Sequence, residues 1–199
     1  EAYAAYARQN ARVTHAACWS HCRRGFEGAK DGEPTASAEA LAIIGALYRH
    51  EEVIRERKLT GQDKLAYRSA HSEPVVQAFW AWCDRQCHRA DLLPSSPLAK
   101  ALHYALARKS NLQVFLADPE VAIDTNHLER ALRPIPMGKK NWLFAWTEIG
   151  AERVGVIQSL LVTCRLQGVD PYAYLVDVLQ RISMHPASRV SELTPREWK

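Results

Sequence analysis

The sequence predicts a mostly helical α/β protein, and three observations carry that expectation. Between Ser37 and Asp118 the apolar residues recur at helical spacing, with no alternating run to interrupt them. On either side of this block, Arg12 to Trp19 and Val121 to Ile123 are short, β-tolerant and bounded by polar residues, as strands are. Beyond Glu148 two more helical patterns follow, parted only by Gly168 and Asp170-Pro171. The expected plan is a small sheet-and-helix core from residues 1–29 and 119–147. An all-α insertion over 30–118 interrupts it, and a helical hairpin over 148–199 closes the chain.

Taken in order, Tyr3 to Arg8 reads as the end of a short helix, Arg12 to Trp19 as a strand, and Ser20 to about Ala29 as a helix. Lys30-Asp31-Gly32-Glu33-Pro34 is a linker by composition. In the insertion, Leu41, Ile44 and Tyr48 form a stripe that Ile43 and Leu47 widen. Ser72-Glu73-Pro74 has the form of a helix start, with Val76, Phe79, Trp80, Cys83 and Cys87 on one face. Ser96-Pro97 opens another helix, striped by Leu98, Ala101, Leu102 and Ala105. Asn141 to Trp146 reads as a strand or extended loop. Glu148 to Gln167 is amphipathic, with Val154, Ile157, Leu161 and Cys164 aligned and Gly168 placed as a left-handed stop. From Pro171 to Ile182 the expected buried face is Tyr172, Leu175, Val176 and Leu179, packed as an antiparallel hairpin.

A chain of 199 residues can bury a real core, and 47% hydrophobic with 24% charged residues is ordinary for a globular protein. It has no apolar run long enough to span a membrane and no charged-then-apolar leader. The chain opens on Glu1, which suggests a fragment or processed product. Five cysteines without framework spacing suggest reduced thiols in a cytoplasm. The net charge of +4 is mild, but Arg8, Arg12, Arg23, Arg24 and Lys30 cluster early, and Arg130, Arg133, Lys139 and Lys140 surround Glu129.

The segment Ile123-Asp124-Thr125-Asn126-His127-Leu128-Glu129-Arg130-Ala131-Leu132-Arg133-Pro134 carries the densest chemistry. An Asp/Thr helix start is followed by Asn126, Glu129, Arg130 and Arg133 at i, i+3, i+4 and i+7, hence on one face. Leu128, Ala131 and Leu132 take the opposite, core-facing side. Such a face can hold a metal-ligating acid beside a phosphate backbone. It can equally be a solvated helix with a Glu129–Arg133 ion pair.

This segment resembles the third-acid motif of insertion-sequence-66 transposases, a branch of the DDE enzymes. Thr14-His15-Ala16-Ala17-Cys18-Trp19-Ser20-His21-Cys22-Arg23-Arg24, Gly168-Val169-Asp170-Pro171-Tyr172-Ala173-Tyr174-Leu175 and Glu192-Leu193-Thr194-Pro195-Arg196-Glu197-Trp198-Lys199 match the same family in order. The resemblance covers essentially the whole chain. It implies a ribonuclease-H-like core and phosphoryl transfer by two Mg²⁺ or Mn²⁺ ions held by an Asp–Asp–Glu triad. Glu129 would be the third ligand, oriented by Asn126, while Arg130 and Arg133 would meet phosphates. Arg23, Arg24, Lys139 and Lys140 would contact double-stranded DNA at transposon ends and target, with self-association or other transposition proteins as further partners. The setting would be the nucleoid of a bacterial cytoplasm.

One departure matters. The family's first two aspartates lie upstream of the residues that Glu1-Ala2-Tyr3 resemble, and none of Asp31, Asp63, Asp84, Asp91, Asp118, Asp124, Asp170 or Asp177 matches their motifs. The chain therefore reads as the C-terminal part of a transposase, unable to cut DNA alone. The alternative is a non-catalytic DNA-binding or regulatory remnant that competes for transposon ends. A third reading is a small zinc-binding helical module.

The third reading starts from His15, Cys18, His21 and Cys22, an H-x2-C-x2-H-C cluster. Its donors crowd into eight residues, where zinc sites usually space two ligand pairs across a loop, so Cys18 and Trp19 are expected in the core. Cys83 and Cys87 are expected as buried thiols. Trp80 and Trp82 could stack on an unpaired base, with core packing favoured for Trp80.

Overall fold

The computed structural model describes residues 14–141 and 144–198. The expected helix end at Tyr3–Arg8 and the first two residues of the Arg12–Trp19 strand lie outside them. Among the described residues the protein is helical, and no strand forms. Contacts divide the chain after Asn126 into two compact units.

In the first unit, α1 (Trp19–Glu27) is followed by α2 (Pro34–Glu56) and α3 (Gly61–Tyr67). A π-turn at Arg68–Ser72 runs without a break into α4 (Glu73–Cys87); α5 (Pro97–Leu106) and α6 (Lys109–Ala117) complete the set. Trp19, Cys22 and Phe26 project from one face of α1 and are buried. They meet the α4 stripe edge-on: Trp19 and Phe26 lie 5.2 and 5.9 Å from Phe79, and Phe26 lies 5.6 Å from Trp82. The Trp19 indole N–H donates to the Leu112 carbonyl at 2.8 Å, so even the polar atom of this buried ring is matched. Ile44 and Leu47 of α2 and the whole Leu98/Ala101/Leu102/Ala105 stripe of α5 close the same core. Residues from the expected core segment 1–29 and from the expected insertion thus share one interior.

The strands expected at Arg12–Trp19 and Val121–Ile123 are corrected. Residues 14–18 are irregular; the Ala17 N–H donates to Asn111 O at 2.9 Å and the Trp19 N–H to Ile123 O at 3.1 Å. A strand needs a ladder of such bonds to one neighbour, whereas these two go to different segments. The expected helix start at Ser72 is corrected as well. Ser72 is α-helical (φ −84°, ψ −38°), fully buried and caps nothing. Pro74 therefore sits inside a continuous helix, where it lacks an N–H and crowds the carbonyl four residues back. The π-turn just before it absorbs the mismatch, with Glu73 N–H reaching back five residues to Arg68 O.

Helix α7 (Asn126–Leu132) begins at the unit boundary. The second unit then contains α8 (Pro134–Gly138), α9 (Glu148–Leu166) and α10 (Pro171–Arg181), with 3-10 turns at Ile182–Met184 and Ala187–Leu193. The expected strand or extended loop at Asn141–Trp146 is an irregular connection where it is described. Thr147 caps α9 through Gly150 N–H at 3.0 Å, and Asp170 caps α10 through Tyr172 N–H at 2.9 Å. Between them Gly168 is left-handed (φ 70°). Its N–H and that of Val169 return to Arg165 O and Cys164 O, a Schellman closure, and Val169 packs on Cys164 as such motifs favour.

The small core of this unit is Cys164, Tyr174, Val178 and Leu193. The face expected to be buried on α10 is therefore corrected. Tyr172 and Leu179 are exposed while Tyr174 is buried, its hydroxyl donating to Leu193 O at 2.7 Å. The 3-10 segment after α10 selects the Tyr174/Val178 face, a tertiary choice that periodicity does not register. No described helix is long and apolar enough to cross a membrane.

Candidate functional site

Ile123, Asp124 and Thr125 bring the chain into α7. Ile123 is buried in the first core, and Thr125 N–H points to Cys18 Sγ at 3.4 Å. Asp124 accepts from its own helix start: Asn126 N–H donates to Oδ1 at 3.1 Å and the Asn126 side-chain amide to Oδ2 at 2.8 Å. Asn126, expected to orient Glu129, thus directs its amide donor to the cap. Asp124 also lies beside Tyr48, whose phenol is held above its usual range, first by burial and then by that carboxylate.

The segment reaching α7 is anchored by Arg68, which no sequence motif marks. Arg68, on the π-turn, has a fully buried side chain. Its Nε and Nη2 form a two-pronged pair with Glu51 at 2.8 Å each. Its Nη1 donates to the carbonyls of Phe115, Asp118 and Val121 at 2.6, 3.2 and 3.2 Å. The guanidinium therefore ties the end of α6 and the 118–121 turn to the helical body. An arginine among polar neighbours carries no sequence signal for this; only its mid-helix place on an interrupted stripe hints at it.

Glu129 and Arg130 on α7 and Arg133 just past its end are exposed. The expected core side is corrected: Leu128 and Leu132 are 54% and 56% exposed, so this helix has an open apolar flank too. Helix α7 ends at Leu132, as expected of a helix ahead of Pro134. Pro134 starts the short α8 at its first position, where a missing N–H costs nothing.

Lys139 and Lys140 are exposed beyond α8. Lys139 Nζ lies 6.0 Å from the centroid of Phe144, and Phe144 N–H donates to Lys139 O at 2.7 Å. Phe144 (φ 64°) and Trp146 (φ 60°) are both left-handed, a conformation that costs such residues of order 1–3 kcal/mol each. Both are open to solvent, Trp146 at 82%. The turn is held against α9, because a Cβ on Gly150 would collide with the Ala145 carbonyl oxygen. The alternating Phe-Ala-Trp was the available signal, and it reads equally well as a strand.

The early basic pair belongs to the first unit. Arg23 is engaged with Glu27 at 3.1 Å on α1, an acid that Lys30 also holds at 3.0 Å, while Arg24 is exposed. In the H-x2-C-x2-H-C cluster Cys22 turns into the aromatic core and its thiol is pushed up to about 12, by burial first and by Cys18 second. Trp80 and Trp82 are both buried, so neither offers a face to a base. Cys83 is buried as expected; Cys87 is exposed and corrects the second half of that expectation.

A two-metal carboxylate site needs acids free to face the ions. Asp118 caps Glu120, Asp124 caps Asn126 and Asp170 caps Tyr172. Asp91 is paired with Arg89, and Asp177 with Arg181 and Trp198. These five aspartates are thus engaged in caps and ion pairs, and none of them fits a site for a pair of ions.

Residues 1–153 match the family model described as Transposase IS66 family, and residues 159–196 match the IS66 C-terminal element. The uncharacterized protein y4hP of Sinorhizobium fredii (strain NBRC 101917 / NGR234) is 35% identical over 198 residues, covering 94% of this chain and 36% of that protein. The uncharacterized protein y4qI of the same strain is 32% identical over 192 residues, covering 96% of this chain and 35% of that protein. The chain spans 35–36% of the length of these relatives. No solved structure matches it. With both family models matched in order along it, this chain belongs to the IS66 family of transposases.

Proposed function

We propose that this chain is the C-terminal, third-acid portion of a DDE-type transposase. In this reading Glu129 serves DNA strand transfer, and Arg130, Arg133, Lys139 and Lys140 approach the DNA backbone. The observation that carries it is Glu129 exposed on α7 with Arg130 beside it and Arg133 just past the helix end, in a chain of this family. Guanidinium and ammonium groups on one unit are suited to phosphates, whose neutralisation dominates DNA affinity. Mg²⁺ or Mn²⁺ belongs to a complete set of acids, in which Glu129 would be joined by two carboxylates beyond those described here.

As the 199-residue chain, the proposed activity is salt-dependent binding to duplex DNA without cleavage. The engagement of Asp118, Asp170 and Asp177 in caps and an ion pair favours this over autonomous catalysis. The test compares two lengths. A protein of the relatives' length, carrying this sequence, should cut transposon-end DNA with Mg²⁺, and Glu129→Gln should abolish cutting while leaving duplex binding intact. A neutral amide is nearly isosteric but a much poorer ligand for a hard cation. Full cleavage by the Gln variant would reject the role of Glu129; absence of duplex binding by the 199-residue chain would reject the binding role.

A further inference from the structure

Two aromatic rings are displayed at a point where the backbone opposes it. Phe144 and Trp146 are 57% and 82% exposed, both in the left-handed region, one residue apart. Elsewhere among the described residues, Trp19, Trp80 and Trp82 are buried in a core and Trp198 is packed on Tyr174 and hydrogen-bonded to Asp177. The display is held in place rather than incidental. Phe144 N–H is bonded to Lys139 O, Thr147 N–H to Ala145 O at 2.7 Å, and Gly150 admits the Ala145 carbonyl. A cation accompanies the rings, since Lys139 sits over Phe144 and Lys140 follows it in sequence.

Exposed rings beside lysines have the chemistry of a platform for unpaired nucleotides. Bases stack on the rings whatever their identity, and the ammonium groups meet the backbone. A duplex hides its base faces and would gain nothing from the rings. We propose that Lys139, Phe144 and Trp146 form a binding site for single-stranded DNA, separate in role from the duplex contacts and taking frayed or unpaired nucleotides at a DNA end. This rests on the reading of the chain as a DNA-binding protein, and deepens it. A protein partner would suit the apolar rings but gives no reason for the lysines.

The test measures fluorescence anisotropy of a labelled 20-nucleotide oligo-dT and of a labelled duplex of equal length. The proteins are the 199-residue chain and its Phe144→Ala, Trp146→Ala and Trp146→Phe variants. Loss of a stacking ring should weaken oligo-dT binding about 5- to 150-fold for either Ala variant. Trp146→Phe should restore most of it, and duplex affinity should stay within about twofold, since the rings do not touch paired bases. Because both side chains are exposed, circular dichroism should show all variants folded. Unchanged oligo-dT binding in both Ala variants would overturn the proposal while leaving duplex binding, and the family reading, intact. Failure of the parent chain to bind either DNA would overturn this site and the proposed duplex binding together. Loss of a self-associated species in the Trp146→Ala chain, with oligo-dT binding unchanged, would make the rings a protein interface and likewise overturn it.

Discussion

Replacing Arg68 by Met should cost this protein about 3–5 kcal/mol, because breaking one side of a buried pair leaves an uncompensated charge. Methionine fills much of the arginine volume, so cavity formation adds little. The loss comes from two sources. Glu51 forfeits both prongs of its pair, and its side chain is only 17% exposed, so water replaces the guanidinium incompletely. The Phe115, Asp118 and Val121 carbonyls lose their donor, at about 1 kcal/mol for each that water fails to reach. Glu51 can relax toward its exposed edge, which favours the lower half of the range. Urea unfolding followed by the fluorescence of Trp19, Trp80 and Trp82 reads the same unit that holds Arg68. With a slope of roughly 2 kcal/mol per molar urea, the midpoint should fall by about 2 M. Arg68→Met combined with Glu51→Met should recover most of the loss, since removing both charges leaves none stranded. A single-variant loss below about 1 kcal/mol, or no recovery in the double variant, would refute the clamp.

Alkylation of the native protein should modify Cys87 first, with Cys22 and Cys83 protected; mass spectrometry of timed digests reads this. The rate at Cys87 should keep climbing above pH 9, because burial and the Asp84 carboxylate raise its thiol above the usual range. His50 is held below its ordinary value by burial first and by His71 and Arg49 beside it, with Glu51 opposing and Tyr67 at 3.4 Å. The unfolded chain therefore takes up the proton at this site first as pH falls below about 6.5, and stability drops until the folded-state value is passed. His50→Gln should flatten that part of the stability-versus-pH curve measured by urea titration; an unchanged slope would reject it. Lys58→Gly should stabilise by about 0.5–1 kcal/mol in thermal melts. Lys58 is left-handed (φ 52°) at the closure of α2, a place where glycine avoids the Cβ clash.

What the sequence revealed was mostly what a few neighbouring residues decide. The Ser96-Pro97 start, the Asp170 cap and the Gly168 stop each depend on one or two hydrogen bonds over short range, and each occurs as expected. The buried face of α10 depends on where the 3-10 segment returns, so Tyr174 replaced Tyr172. Strand expectations failed for a related reason, since β-tolerant residues at 14–19 and 121–123 form strands only if partners arrive. At the candidate site, the face of Glu129, Arg130 and Arg133, exposed on α7 and just past its end, was legible from spacing. The exposure of Leu128 and Leu132 was not, because an apolar stripe says which side could be covered and nothing of what covers it. Phe144 and Trp146 escaped notice because alternation reports period and leaves the sign of φ unstated.

The π-turn at Arg68–Ser72 makes chain length as binding a requirement as residue identity. An α-helix turns about 100° per residue, so the extra residue in this turn offsets everything after it relative to everything before it. Arg68 can face the 118–121 turn while Val76, Phe79 and Cys83 face the core only because of that offset. Deleting the exposed Ala70 would remove no contact of its own, yet it would swing the clamp and the aromatic stripe out of phase with each other. A one-residue deletion in the turns between Cys87 and Pro97 would shift only local connections. Relatives that share this architecture should therefore vary freely in length at such loops, and hold the spacing between the positions of Arg68 and Phe79 fixed.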